Sequence, residues 1–355
     1  MKQFLSIFFI FITTSTYATV RTVSNNPVTI AQFSTIQAAV NVSSSGDTIY
    51  VHGSPNVYAP VVITDKRLVM IGPGFAPDKN LPVIANITGL TINGSAGSSD
   101  FCELQGLLIT NFIANQGVNN LRLRRNQFNG GFSFAHSTAA NDFLIEGNNF
   151  QTSISTSGSA SFTNFLFQNN IFYGIPCCTS GSIGGFFNSS NVLFNHNLFI
   201  GAPGTFQVFS GSCRFLILTN NIFVNRNPAP DLSFSTFNNN ITFNCGTQGD
   251  TAWIRNGNVD GGGNIAGQDP QMFDQALVNS GSANPLMNLT IAAGPANNSG
   301  TDAKDMGLFF DATGSLNWSN SRNSRLPRIL KMNVVNPTVA VNGNITITVE
   351  AKTSN

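Results

Sequence analysis

Five positions spaced through the middle of this chain could carry acid, base or hydrogen-bonding chemistry: Arg124, Glu146, Gln168, Asn195 and Thr219. They fall 22, 22, 27 and 24 residues apart, and Arg122, Asp142, His136 and His196 lie close to them in sequence. Arg124 with Glu146 has the makings of a base or an anion clamp with an acid beside it, and His136 is a third candidate for proton transfer. Arg122, Gln168, Asn195 and His196 are the accompanying candidates for substrate binding. The simpler reading of Arg124 and Glu146 is a stacked ion pair, which contributes little when exposed. His196 reads first as a surface turn residue.

What must position these residues is a repeated line. LRLRRNQF (121 to 128), FLIEGNNF (143 to 150), FLFQNNIF (165 to 172), VLFNHNLF (192 to 199) and LILTNNIF (216 to 223) share apolar first and third positions, Asn at the sixth and Phe at the eighth. CELQGLLI (102 to 109) is a degenerate earlier copy. A short alternating strand recurring near 22 residues is the mark of a β-solenoid. Alternation sends positions one and three to the core and positions two and four outward. In a parallel stack like residues lie about 4.8 Å apart, so Asn126, Asn148, Asn170, Asn197 and Asn221 form a ladder. That ladder is expected at a corner, with Asn supplying the left-handed bend. The second position reads Arg122, Leu144, Leu166, Leu193 and Ile217, an apolar outer stripe that a loop, the tail or a partner should cover.

At these residues the chain resembles the right-handed parallel β-helix (pectin lyase-like) superfamily, the fold of pectate lyases, polygalacturonases and pectin methylesterases. FSTIQAAVNVSSSGDTIYVHGSPNVYAPVVITDKRLVMIGPG (33 to 74) is similar to the opening of related secreted β-helix proteins, in which a TIQAAV helix caps the first coil. The resemblance covers residues 33 to 310. It implies an all-β, right-handed parallel β-helix of about ten coils, helix-capped at its N-terminus. It fixes fold more than chemistry. The hydrolase signs are missing: there is no NTD, no adjacent Asp pair and no GHG, and nothing resembles the esterase GTVDFIFG. The lyase vWIDH element is absent, and RLPRIL (325 to 330) lies too far into the tail to stand for RxPxxR.

Residues 1 to 18 read as a signal peptide, too short to span a bilayer as a helix. Its removal at Ala18 would take Lys2 and leave 16 basic and 16 acidic residues from the 17 and 16 of the full chain. A near-neutral chain gives no basis for a nucleic-acid partner, and no other apolar run is long enough for a membrane span. Only 9% of residues are charged, so solubility rests on amides and hydroxyls, a surface that suits carbohydrate and also suits solenoid turns. The expected organisation is a β-helix over 19 to 310 and a C-terminal linker and β-hairpin over 311 to 355, either docked or an attachment module. DMGLF (305 to 309) is expected as a terminal strand, and ITFNC (241 to 245) as a last repeat that has lost its Asn.

Five cysteines, Cys102, Cys177, Cys178, Cys213 and Cys245, leave at least one unpaired in an exported chain. A bridge from Cys177 or Cys178 to Cys213 and a set of buried thiols are both open. No zinc-type spacing exists. Asp250, Asp260, Asp269, Asp274, Asp302 and Asp305 gather late in the chain, where calcium could stabilise turns, although turn-capping is commoner. The sequence expectation is therefore a secreted, extracellular or cell-surface monomer, without a cofactor unless calcium. Its partner is a polysaccharide or cell-surface glycan that it binds or cleaves. The rival is a non-enzymatic adhesin or structural surface protein.

Overall fold

The computed structural model describes residues 18–75, 83–95, 97–157, 160–173, 182–204, 206–211, 213–284, 287–309, 327–334 and 346–353. Residues 1 to 17 of the expected signal peptide, Cys177 and Cys178, and residues 174 to 181 after Phe172 lie outside these residues. The repeat folds as a parallel β-solenoid of about nine turns, against the ten expected. Sheet one has eleven strands, from Val20–Val23 through Arg122–Arg124, Ala139–Glu146, Ser161–Gln168, Asn188–Asn195 and Leu216–Thr219 to Val259–Asp260. Sheet two has thirteen, among them Gln127–Phe128, Asn149–Phe150, Ile171–Tyr173, Leu198–Ile200, Ile222–Val224 and Ile241–Phe243.

Register is strict. Phe143 pairs with Phe165, Phe165 with Val192 and Val192 with Leu216, so each repeat position becomes a column along the stack. Positions one and three are buried throughout, from Leu121 and Leu123 to Leu216 and Leu218. The eighth-position rings Phe128, Phe150, Phe172, Phe199 and Phe223 stack at centroid separations of 5.1, 4.9, 4.8 and 4.6 Å. Offset stacking adds about 0.5–1.5 kcal/mol per pair to the burial of each ring.

The Asn ladder is the polar counterpart. Asn126, Asn148, Asn170, Asn197 and Asn221 are fully buried. Each side-chain oxygen accepts the backbone N–H of the ladder residue one coil earlier: Asn126 N to Asn148 Oδ1 at 2.9 Å, Asn148 N to Asn170 Oδ1 at 2.9 Å, Asn170 N to Asn197 Oδ1 at 3.0 Å. Each Nδ2 donates to a strand carbonyl, as Asn170 does to Ile145 O at 2.8 Å. Thus the carboxamide repairs the backbone where the ladder of strand hydrogen bonds is broken by the corner.

Two expectations about this corner are corrected. The left-handed residue is the fifth position, not the ladder Asn: φ is positive at Gly106, Arg125, Gly147, Asn169, His196, Asn220, Asn239 and Gly263. Turning there aims the sixth side chain inward. The ladder also runs further than expected, because SerThrPheAsnAsnAsnIleThr (235 to 242) is another repeat with Asn240 in place and Thr242 replacing the Phe. Asn221 N donates to Asn240 Oδ1 at 3.0 Å and Asn240 N to Asn264 Oδ1 at 2.9 Å. At the other end Leu107 stands where an Asn would, and its N–H donates to Asn126 Oδ1.

The helix Ile36–Val42 begins at Thr35, whose Oγ1 accepts from Ala38 N at 3.2 Å, and it buries Ile36, Ala39 and Val40 against the first strands. The lead-in before it contributes the strand Val20–Val23, which pairs with Thr48–Val51. Ile265 still bridges Ile241 in parallel; beyond it the described residues to 309 add no coil, and 305 to 309 form no strand. They fold back over the outer face of sheet two, where Met272, Val278, Met287, Leu289, Met306 and Leu308 cover Ile171, Leu198, Ile200, Ile222, Val224 and Ile241. The tail forms an antiparallel hairpin of Pro327–Val334 and Ile347–Thr353. Among the described residues no helix is long and apolar enough to cross a membrane.

Removing one rung should expose how much the ladder contributes. Asn170→Ala removes the side-chain acceptor of Asn148 N–H and a donor to Ile145 C=O in a dry interior, at about 1–3 kcal/mol for a group left unpaired. Urea unfolding should show a fall of several kcal/mol for Asn170→Ala and a clearly smaller one for Asn264→Ala, since Asn264 is only half-buried.

Candidate functional site

The outer face of sheet one carries the residues singled out from sequence. Its fourth column runs Gln105, Arg124, Glu146, Gln168, Asn195, Thr219 and Asn238, in consecutive register. Arg124 and Glu146 are therefore neighbours on adjacent coils, with Nε 3.3 Å from Oε2. That contact is an ion pair by distance without hydrogen-bond alignment, because Arg124 Nε has no hydrogen-bond partner.

Glu103, which sequence reasoning missed, completes the group. It sits one coil earlier in the second column, and Arg124 Nη1 donates to its Oε1 at 3.3 Å. Arg124 thus lies between two carboxylates. Its side chain keeps 34% of its surface exposed and each glutamate 18%, so the cluster is a partly hydrated ion-pair network of modest strength. Burial pushes the Glu146 carboxyl above its ordinary range, while Arg124 and Arg125 draw it back. Only the i and i+2 spacing of Glu103 within its own short strand could have flagged it.

The other candidates separate. Arg122 is exposed on the second column, between Glu103 and Leu144. Gln168 is half-buried, and Asn195 accepts from Asn220 Nδ2 at 3.0 Å. His136 is not brought to this face: it is fully buried inside the coil, with Nε2 3.0 Å from Val118 O and its ring against Phe143. His196 is not a surface turn residue either. It occupies the left-handed fifth position, points out of the corner and is covered by the fold-back strap.

Residues 299 to 309 run across the coils along that fifth column. Asn169 Oδ1 accepts from Phe309 N at 2.7 Å, His196 Nδ1 lies 3.0 Å from Gly307 O, Asn220 Oδ1 accepts from Thr301 N at 2.8 Å, and Asn239 Nδ2 donates to Ser299 O at 2.8 Å. The carbonyl of Gly307 requires a proton on His196 Nδ1, which leaves Nε2 to accept from Asn220 Nδ2 at 3.1 Å with Asp302 nearby. Burial holds the imidazole below its ordinary pKa, offset in part by Asp302.

Asp260 and Asp269 cap their own turns, while Asp274 and Asp305 brace more distant backbone. Asp260 Oδ1 accepts from Gly262 N and Asn264 Nδ2, Asp269 Oδ1 from Gln271 N, Asp274 Oδ2 from Asn288 N and Asp305 Oδ1 from Asn298 N. Among the described residues no three His, Cys, Asp or Glu side chains converge as metal ligands. Cys102, Cys213 and Cys245 are buried free thiols. Burial pushes them up to about 11, 11 and 12, so none is a thiolate nucleophile at neutral pH. Arg226 is also buried, donates to Ser182 Oγ, and has no carboxylate partner among the described residues. Desolvation draws its guanidinium down to about 10.

No protein-family model and no curated protein matches this chain. The solenoid has to be read from its own surface. On sheet one that surface is three parallel columns. The corner column reads Asn120, Asp142, Asn164, Asn191, Phe215 and Phe234, all at positive φ. The second is the apolar stripe Leu144, Leu166, Leu193 and Ile217, half-buried in the structure. The fourth is the amide and hydroxyl column. The fold-back segment covers the other sheet.

His136 and His196 both have pKa values held below the ordinary 6.5 by burial. The unfolded chain therefore takes up protons first as pH falls, and the stability these residues contribute is present above about pH 6.5 and lost below it. Thermal melts from pH 8 to pH 5 should show a falling midpoint. His196→Asn, which suits the left-handed position, should flatten part of that decline, and an unchanged slope would assign the acid sensitivity elsewhere.

Proposed function

We propose that this chain is an exported polysaccharide-binding solenoid of the pectin lyase-like kind, which holds an extended glycan along the outer face of sheet one. The observation that carries the reading is the polar, apolar, polar order of the three columns in the coils of Leu144, Leu166 and Leu193. Sugar rings present C–H faces ringed by hydroxyls. An apolar stripe flanked on both sides by amides and hydroxyls answers that chemistry. The leader-like N-terminus and the scarcity of charge fit an extracellular site of action.

Binding is better supported than cleavage. Glycoside hydrolysis and uronate elimination need an acid and a base aimed at one bond. Here Arg124 is engaged by Glu103 and Glu146, and His136 faces the core. The cluster is better suited to fixing one end of a ligand than to turning it over.

The test is to present the mature chain with plant, algal and bacterial polysaccharides, with calcium and with chelator. Retention in affinity electrophoresis would be followed together with new reducing ends and unsaturated-uronate absorbance. Retention on at least one glycan without product is expected, and Leu166→Lys or Leu193→Lys should weaken it about tenfold, near 1.4 kcal/mol. Product formation would make the chain an enzyme, with Arg124→Ala and Glu146→Ala as the next variants. Lack of retention on any glycan by a folded chain would overturn the reading in favour of an adhesive or structural role.

A further inference from the structure

The corner column of sheet one contains two residues that the fold itself does not ask for. At this position the backbone is left-handed in consecutive coils, with φ of 52° at Asn120, 63° at Asp142 and 56° at both Asn164 and Asn191. Asn and Asp suit that conformation because their short polar side chains can bond locally. In the next two coils the same place is taken by Phe215 at φ 58° and Phe234 at φ 51°. A bulky aromatic residue is a conformational outlier there. Both residues are also exposed, at 53% and 55%, so each adds open apolar surface to backbone strain. Backbone strain of this kind clusters at functional positions.

The rings are arranged, not merely exposed. Phe215 and Phe234 stack coil on coil with centroids 5.9 Å apart and planes within 23°. Beyond them the next coil has Gly257, and a Cβ there would stand 2.8 Å from the Phe234 ring. The absence of a side chain gives the ring its place. Phe101, in the same column far up the stack, differs in having an internal partner, the guanidinium of Arg67 at 5.4 Å from its centroid.

A second observation points to the ligand. The coils before Phe215 carry a chain of surface hydrogen bonds along the same edge: Asn191 Nδ2 donates to Asn164 Oδ1 at 2.8 Å, and Asn164 Nδ2 donates to Asp142 Oδ1 at 2.9 Å. Asp142, Asn164 and Asn191 are all exposed. One straight edge therefore offers preordered amide and carboxylate groups in three coils and aromatic rings in the following two. Coils repeat at about 4.8 Å, close to the advance of one pyranose unit along an extended glycan, so neighbouring sugars can meet neighbouring coils over a few units.

We propose that Phe215 and Phe234 form an aromatic platform whose exposed ring edges meet the C–H groups of a neutral, extended glycan, with Asn191, Asn164 and Asp142 continuing the same edge as hydroxyl-binding subsites. This deepens the functional reading above and rests on it. A neutral polymer is assigned because the edge carries a single carboxylate, Asp142, and no cation in the column to meet a uronate.

The test uses the full chain and two double variants, Phe215→Asn with Phe234→Asn and Phe215→Tyr with Phe234→Tyr. Titration with soluble β-glucan, xylan and galactomannan is compared with a uronate-rich pectin by calorimetry, alongside thermal melts and sedimentation. Asn is the residue the corner prefers, so the Asn pair should melt at the wild-type temperature or above while binding to the neutral glycan falls about tenfold or more. The Tyr pair should keep binding. Binding unchanged in the Asn pair but lost in Leu193→Lys would overturn the platform and leave the face intact. A lower melting temperature with unchanged affinity would make the rings structural. Wild-type chain that binds none of these polymers, and a dimer that the Asn pair dissolves, would overturn it in favour of self-association. Retention on the wider polysaccharide panel decides separately whether the parent reading stands.

Discussion

Everything in this solenoid depends on how the backbone is kept satisfied at one corner. A strand that bends must release its hydrogen bonds to the neighbouring coils, and in a dry interior those groups cannot turn to water. The buried Asn column resolves this with one side chain per coil. Its oxygen takes the N–H of the coil before, and its NH2 reaches a strand carbonyl and the next amide. A hydroxyl could not do both, and a carboxylate would bury a charge with no cation near it. Because every rung is donor to one neighbour and acceptor from the other, the column fixes register for both sheets at once. The Phe stack two residues later follows from it.

Much of the architecture was legible for this reason: five repeats with the same Asn and Phe at the same spacing state both a strand direction and a register. Alternation then placed Leu121, Phe143 and their column inside and Arg124 and Glu146 on adjacent coils outside. What the pattern could not give was anything set by a single residue of offset or by a distant segment. The bend lies one residue before the ladder, because a left-handed residue must precede a side chain that is to turn inward. The 235 to 242 repeat was obscured because Thr242 stands where Phe recurs, even though Asn240 keeps the ladder.

The fold-back of residues 265 to 309 had a signal that went unread. The seventh position passes from Gln127 and Asn149 to Ile171, Leu198, Ile222 and Ile241, turning apolar in just those coils that Met272, Val278 and Leu308 cover. The fifth position likewise turns to Asn169, His196, Asn220 and Asn239 where the strap crosses it. His196 looked like a turn residue because sequence shows the bend it occupies but not the segment lying over it. His136 looked available because its loop context hid an inward-facing side chain. Glu103 went unnoticed for a related reason: its pairing with Arg124 is diagonal between columns, and column reasoning sees only the straight neighbours.

The strap along the fifth column changes how such a stack comes apart. A repeat array in which each coil touches only its neighbours can shed them singly from its open end, with a local cost for each step. Here four coils in succession are tied to one continuous segment, and that segment is rooted in the apolar cover of sheet two. Peeling the terminal coil therefore also requires lifting the strap from the coils behind it. Fraying at this end is converted into a cooperative event with a larger barrier, which is kinetic protection in a chain whose described cysteines form no crosslink. A run of residues with almost no regular structure thereby sets the lifetime of the most regular part of the molecule.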